Sequence, residues 1–248
     1  MSGRSFLNER WVSASSKSPL SANEYPSRPQ RRRAASSSGS SLLDIGRNLS
    51  VGSERIHREA APCYTRTVEF PPEELETVRL MLRPPTVEDA ESAFHSYASD
   101  AKITRYLTWT AHTSPAQTRE YFQQAIDAWD LRMGHRMWLI ERKEDGVVLG
   151  TIGCTVHFHR VELGFALASA FWGEGYMPEA MKRVCQAAFE DGRIARVQAL
   201  CDEENTRSSR VMQKVGMQYE GRLRKYGHHP NRSEVPRDCV MYAVVRGD

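Results

Sequence analysis

Two glycines at positions 173 and 175 are the first residues whose spacing suggests a binding chemistry. They lie in the segment Phe171-Trp-Gly-Glu-Gly-Tyr, directly before an apolar pattern of helical period from about Pro178 to Glu190. Glycine lets backbone N–H groups turn toward an anion, and the dipole of a helix N-terminus favours negative charge there. The segment therefore predicts a loop that binds phosphate groups. A GxG pair alone is a weak signal, and neither GxGxxG nor GK[ST] follows it.

The elements that must position this loop predict one α/β domain of the α+β kind, with a mixed sheet. Thr77–Arg83 alternates apolar and charged residues, as a half-buried strand does. Thr86, with Asp89 three residues later, predicts a capped helix start, and Ser114-Pro115 predicts another. The predicted order is β-α-α-β-β-β-α-β-α-β-β. After the first strand and the two helices, the predicted strands and helices follow, in that order, at residues 137–141, 147–156, 161–168, 178–190, 196–201, 206–214, 217–226 and 239–245.

Residues 1–70 predict a disordered tail rich in Ser and Arg, because they show no sustained period and cannot bury enough apolar surface. Residues 1–60 carry ten basic and five acidic residues, a net charge of +5, against +3 for the whole chain. The basic character therefore belongs to the tail, and the domain itself is not expected to bind nucleic acid.

The five cysteines, at 63, 154, 185, 201 and 239, form no CxxC pair. This pattern is neither a disulfide framework nor a zinc-site spacing, and it fits a reducing compartment. Cysteines inside helix and strand patterns are expected to pack in the core. With no apolar run of the ~20 residues that a membrane span needs, we expect a soluble, cytoplasmic protein without a metal.

Several motifs, in the right order, resemble the GNAT acetyltransferases and in particular their RimJ/RimL branch. They are Glu162-Leu-Gly-Phe-Ala-Leu, then Phe171-Trp-Gly-Glu-Gly-Tyr-Met-Pro-Glu-Ala, then Glu204-Asn-Thr-Arg-Ser-Ser, and the closing Arg237-Asp-Cys-Val-Met-Tyr. The resemblance covers most of residues 75–246. It implies a GNAT fold there, with a splayed central sheet, and acetyl-CoA as co-substrate.

The resemblance also assigns residues to the co-substrate. The backbone amides of five loop residues would hold its pyrophosphate: Gly173, Glu174, Gly175, Tyr176 and Met177. The end of the preceding strand would bond the pantetheine arm as an added strand does, through Ala166, Leu167 and Ala168. The Asn205 side chain would also hold the pantetheine. Met177 departs from the smaller residue that the wider family often has at its position.

Acetyl transfer to an amine needs a neutral amine, a polarised thioester carbonyl and a protonated leaving thiolate. Glu162 lies where some GNAT enzymes place a general base, although it could instead form an ion pair or orient the substrate. The tyrosine acid of the wider family is replaced by Met212. Ser208 is the residue that the branch tends to use near the thiol, and its alternative role is a bond to the helix backbone. A water chain could carry the proton instead.

The resemblance implies direct transfer in a ternary complex, with a peptide or protein N-terminal α-amine as acceptor, for instance on a ribosomal protein. The basic stretch 222–232 could receive an acidic peptide, or it could be a solvated hairpin. A small-molecule amine such as a polyamine or an antibiotic is a second candidate acceptor. A non-catalytic acyl-CoA-binding module and an RNA- or ribosome-binding protein acting through its tail are further alternatives. The chain is expected to be a monomer or a homodimer without a membrane partner.

Overall fold

A mixed sheet of eight strands runs through the part of the chain that the structure describes. The computed structural model describes residues 72–131 and 134–248, so the predicted tail at 1–70 lies outside the described residues. The strand order is β1-β2-β3-β4-β5-β6-β8-β7, and neighbouring strands are antiparallel except β5 and β6, which are parallel. The strands are β1 (Leu75–Glu76), β2 (Leu80–Arg83), β3 (His135–Arg142), β4 (Val148–His157), β5 (Arg160–Leu167), β6 (Arg196–Asp202), β7 (Gln218–Gly227) and β8 (Arg237–Val245).

Helices cover both faces of this sheet. The helices are α1 (Asp89–Ala93), which continues as a π-helical turn (Phe94–Ala98), α2 (Ala101–Thr104), α3 (Pro115–Asp130), α4 (Tyr176–Glu190) and α5 (Thr206–Lys214). Side chains of α4 and α5 pack with buried strand residues such as Val161 and Leu163. Side chains of α1, α2 and α3 pack with a second group that includes Leu139 and Ala166. Because strand side chains alternate between faces, the two groups lie on opposite sides.

The predicted fold class and element order are confirmed, with four short additions. Strand β1, the π-helical turn, α2 and a 3₁₀ turn (Ser169–Phe171) were not predicted, because segments of two to five residues show no measurable period. Within the described ranges, no helix is both long and apolar enough to cross a membrane.

The two predicted helix starts differ in outcome. At α3, the Ser114 hydroxyl accepts a hydrogen bond from the N–H of Gln117 and Pro115 occupies the first turn, as predicted. At α1, the Thr86 cap is wrong, because the helix begins at Asp89 and no side chain caps it. The Thr86 hydroxyl donates to the Asp89 carboxylate instead, at 2.8 Å. That carboxylate also binds both terminal nitrogens of Arg83, at 2.8 Å each, and this ion pair anchors the start of α1.

The described cysteines pack in the core, as expected from their positions. Cys154, Cys185, Cys201 and Cys239 are free and buried. Burial raises the pKa of the Cys185 thiol to about 12 and is the main cause that raises the pKa of Cys239 to about 11. A thiol in this state is a poor nucleophile near neutral pH.

The central sheet splays between its two parallel strands. Strand β5 pairs with β6 only through Arg160–Leu163, and the last partners are Leu163 and Ala199. Beyond that point β5 stays paired with β4 as far as Leu167, and β6 stays paired with β8 as far as Asp202. A gap therefore opens between the carboxyl ends of β5 and β6. The predicted splay is confirmed.

Gly150 allows β4 and β5 to approach closely beside this gap. A Cβ at position 150 would lie 2.2 Å from the backbone oxygen of Ala166, whereas a Cβ at Gly164 on β5 would meet nothing within 4 Å. We expect Gly150→Ala to lower the free energy of unfolding by about 1–3 kcal/mol, since backbone must shift. Gly164→Ala, the matched control, should change it by less than about 0.5 kcal/mol. Urea unfolding followed by circular dichroism measures both, and equal midpoints would contradict this account.

Candidate active site

The predicted phosphate loop forms a left-handed bend at the start of α4. The φ angle is 92° at Gly173 and 82° at Gly175, values that side-chain-bearing residues rarely adopt. Gly175 is the N-cap residue, so α4 begins at Tyr176, two residues before the predicted Pro178. The N–H groups of a first helical turn have no partner within the helix. The amides of Tyr176 and Met177 therefore stand where the helix dipole favours an anion.

The second wall of the gap is the free edge of β5. The N–H of Ala168 donates to Leu149 O in β4 at 2.8 Å. Alternate residues of a strand address opposite neighbours, so Ala166 and Ala168 direct their backbone groups to β4. Phe165 and Leu167 direct theirs into the gap, and the Leu167 carbonyl accepts the indole N–H of Trp172 at 2.8 Å. Ala166, Leu167 and Ala168 were predicted to bind pantetheine through their backbone. In this register only Leu167 of the three directs its backbone groups into the gap. Phe165, which was not predicted, does so as well.

Asn205 and Ser208 lie together across the gap, at the start of α5. Asn205 is the N-cap residue of that helix, and its side-chain oxygen accepts the N–H of Ser208 at 3.2 Å. The cap uses the amide oxygen and leaves the amide NH₂ as the donor for a ligand carbonyl. The hydroxyl that bonds back to the helix is that of Ser209, whose Oγ lies 3.4 Å from Asn205 O.

Glu162 lies on the opposite face of the sheet from α4. Its neighbours Val161 and Leu163 belong to the core under α4, so the carboxylate points to the other side. One of its oxygens, Oε2, accepts a hydrogen bond from Nε2 of Gln198 at 2.9 Å. His135 lies on β3, two strands away from Glu162. Burial lowers the pKa of His135, and the negative charge of Glu162 opposes that shift, so the two side chains interact electrostatically.

A chain of polar side chains fixes the orientation of Gln198. Its Oε1 accepts a hydrogen bond from Nε of Arg196 at 2.8 Å, and Arg196 is paired in turn with Glu220. Because one end of the amide faces a donor and the other faces a carboxylate, the NH₂ group must point at Glu162. Gln198 is buried and was missed from the sequence, although a glutamine inside the apolar strand Val197-Gln-Ala-Leu was a usable signal.

The site thus combines a splayed pair of parallel strands, a loop of backbone amides at a helix start and a carboxylate on the opposite face of the sheet. Proteins similar to this chain are known. A sequence model of the family described as "Acetyltransferase (GNAT) domain" matches residues 79–218. The chain belongs to the GNAT acetyltransferase family. The recognition of this family from its motifs is confirmed.

The similarity between this GNAT chain and its relatives extends over nearly the whole length of each relative. The N-acetyltransferase YoaA of Bacillus subtilis, described as uncharacterized, is 31% identical over 179 residues, which are 69% of this chain and 96% of YoaA. A GNAT-family acetyltransferase structure from Bacillus anthracis shares 26% identity with a TM-score of 0.61, covering 69% of this chain and 98% of that one.

The fold is also that of RimL, solved in complex with coenzyme A and described as a ribosomal L7/L12 alpha-N-protein acetyltransferase. The two share 20% identity and a TM-score of 0.62, over 70% of this chain and 98% of RimL. At that identity the likeness establishes the fold.

On the face that carries Glu162, the loop between β7 and β8 is attached to the segment between α2 and α3. The side-chain NH₂ of Asn231 donates to Thr104 O at 2.8 Å and to Trp109 O at 2.7 Å. The guanidinium of Arg232 lies over the ring of Tyr106, 5.6 Å from its centroid. Asn231 was missed from the sequence because nothing distinguishes one asparagine in a polar hairpin.

Asp202, at the end of β6, anchors the base of that hairpin. Its side chain is 0% exposed, and Arg237 donates to Oδ2 at 2.5 Å while His229 Nε2 lies 3.9 Å away. Burial raises the pKa of Asp202, but Arg237 and the neighbouring donors outweigh it and hold the pKa below its usual value. Arg237 also binds Glu204 at 2.7 Å. Among the described residues, no group of three metal-binding side chains is found.

Replacing Arg237 should expose the cost of a buried, unpaired carboxylate. We expect Arg237→Met to lower the free energy of unfolding by about 3–5 kcal/mol at neutral pH. In the native protein the depressed pKa of Asp202 contributes stability above the unfolded value of about 3.9, and this is lost as the pH falls. In the variant, the guanidinium that opposes burial most strongly is gone, so the pKa of Asp202 rises and protonation relieves the penalty. The difference in free energy of unfolding between the native protein and Arg237→Met should therefore shrink as the pH falls toward about 4.

The matched control is Arg222→Met, which removes an exposed arginine that pairs with Glu203 and Asp238 in the same hairpin. It should cost at most about 1 kcal/mol. Thermal unfolding measured from neutral to acidic pH gives both values. A loss in Arg237→Met that does not depend on pH would contradict the role given to Asp202.

Proposed function

We propose that this GNAT protein transfers the acetyl group of acetyl-CoA directly to the N-terminal α-amine of a polypeptide, within a ternary complex. The observation that carries the proposal is the gap between β5 and β6. It adjoins the amides of Gly173–Met177 and the cap residue Asn205, and Glu162 lies on the opposite face. The donor and the acceptor can thus approach one point from two sides. The coenzyme A bound in RimL supports the donor assignment.

Each part of the donor has candidate partners around the gap. The amides of Gly173, Glu174, Gly175, Tyr176 and Met177 would hold the pyrophosphate. The backbone N–H and carbonyl of Phe165 and the N–H of Leu167 would bond the pantetheine amides, as an added strand does. The side-chain NH₂ of Asn205 would donate to a pantetheine carbonyl.

The chemistry then needs one base and one proton donor. Glu162 removes a proton from the incoming ammonium, directly or through water, because one of its oxygens is held by Gln198 and the other is left to act. The neutral amine attacks the thioester carbonyl carbon, and the C–S bond breaks as the amide C–N bond forms. The proton lost from nitrogen in that step goes to the departing sulfur through Ser208 or a water.

The charge around the hairpin supports an acidic polypeptide as acceptor. Within the described residues, acidic partners bind Arg222, Arg232 and Arg237. Arg224 and Lys225, at the exposed end of β7, have no such partner among the described ion pairs. A positive rim attracts carboxylates and repels a polyamine. The α-N-protein activity in the description of RimL points the same way.

The test is turnover of acetyl-CoA, followed by the CoA thiol released, with matched peptides. We expect a peptide with a free N-terminus and acidic residues behind it to be acetylated at least tenfold faster, in kcat/KM, than its basic counterpart. The same peptide with a blocked N-terminus and a free lysine should not react. Glu162→Gln should lower kcat by about 100-fold, as loss of a general base does, with donor affinity unchanged.

The control is Glu234→Gln, an exposed residue of the β7–β8 loop, which should leave kcat unaltered. Acetylation of spermidine or an aminoglycoside without any reaction on peptides would overturn the polypeptide acceptor. Donor binding without turnover on either class would instead indicate a non-catalytic acyl-CoA-binding module.

A further inference from the structure

Arg79 reaches the phosphate loop from a distant part of the chain. It lies just before β2, and its Nη1 donates to the backbone oxygen of Glu174 at 3.1 Å. Its guanidinium lies over the ring of Tyr176, 4.3 Å from the centroid. A Cβ built on Gly175 would be 3.6 Å from Nη2. Arg79 therefore contacts Glu174 and Tyr176, and its guanidinium lies beside Gly175 between them.

The bond to Glu174 O determines where one loop amide points. A peptide unit is planar and trans, so the oxygen of Glu174 and the N–H of Gly175 point in opposite directions. While Arg79 holds that oxygen, the N–H of Gly175 faces away from Arg79. Rotation of this unit changes ψ of Glu174 and φ of Gly175, and Gly175 resists it little, because glycine populates both signs of φ. The peptide unit thus depends on an outside contact for its orientation.

Arg79 also neutralises an acid at the start of α4. Glu179 lies in the first turn of the helix, where a negative charge would oppose a bound phosphate. Its carboxylate accepts from Arg79 Nε at 2.7 Å, from the Arg79 N–H at 3.1 Å and from the Thr77 hydroxyl at 2.6 Å. Partial burial raises the pKa of Glu179, but these hydrogen bonds outweigh it and lower the pKa, so the group is ionised and needs a counter-charge.

We infer that Arg79 is a positioning residue for the pyrophosphate of acetyl-CoA. It aims the Gly175 amide outward by holding the Glu174 carbonyl, and it cancels the charge of Glu179 beside the phosphate site. The inference rests on the proposed function and assigns a residue to it. Arg79 acts through the loop and the helix rather than by touching the thioester, so the chemical step itself does not use it.

The experiment compares two donors that differ in the pyrophosphate. Acetyl-CoA is titrated by calorimetry into the full-length protein and into Arg79→Met, and S-acetylpantetheine, which lacks the pyrophosphate, is titrated by NMR. We expect Arg79→Met to weaken the binding of acetyl-CoA at least tenfold, which is the effect of losing one charge-assisted hydrogen bond. The affinity for S-acetylpantetheine should stay within twofold. If Arg79→Met weakens the binding of both donors equally, the substitution has disturbed the fold. This result would overturn the inference.

Two further variants separate the two roles of Arg79. Adding Glu179→Gln to Arg79→Met removes the uncompensated charge, so it should recover part of the lost acetyl-CoA affinity but not the part due to loop orientation. Arg183→Met, which removes an arginine of the same helix paired with Glu190, should bind acetyl-CoA as the native protein does. Equal acetyl-CoA affinity in the native protein and Arg79→Met would overturn the inference alone. Failure of the native protein to bind acetyl-CoA would overturn the proposed function with it.

Discussion

The parting of β5 from β6 is the constraint on which the rest of the structure depends. Two parallel strands normally satisfy each other's backbone groups along their length, and here that pairing ends at Leu163 and Ala199. The edge of β5 that becomes free cannot stay unpaired without cost. Trp172 satisfies one carbonyl, that of Leu167, and the remaining groups are available to an extended ligand. In the function proposed above, this interrupted sheet is the surface that binds the co-substrate.

The two ends of the gap are built from different parts of the chain, and both depend on buried or half-buried charges. At the end that carries the glycine loop, Arg79 and Glu179 join the first strands to α4. At the hairpin end, Arg237 and Asp202 join β8 to β6. Each pair brings together residues that are far apart in sequence, so the site requires the complete sheet.

The sequence was sufficient for local features and insufficient for those that depend on pairing. Helical period, strand alternation and the glycine loop are local, and they predicted the element order and the start of α3. Whether Ala166 or Leu167 faces the gap depends on the register with β4, which no local pattern contains. The Thr86 cap failed because the Thr86 hydroxyl donates to the Asp89 carboxylate instead of accepting an N–H of the helix. Arg79, Gln198 and Asn231 act through partners 36 or more residues away, beyond any motif.

The most direct test of the central claim is calorimetric titration of acetyl-CoA into this protein, Gly175→Glu and Gly192→Glu. The first variant puts bulk and negative charge at the start of α4, and the second puts the same side chain just after the end of α4, where a Cβ meets nothing within 4 Å. We predict micromolar binding by the native protein and by Gly192→Glu, and none by a folded Gly175→Glu. Equal binding by all three, or no binding by the folded native protein, would contradict the assignment of this gap and loop to acetyl-CoA.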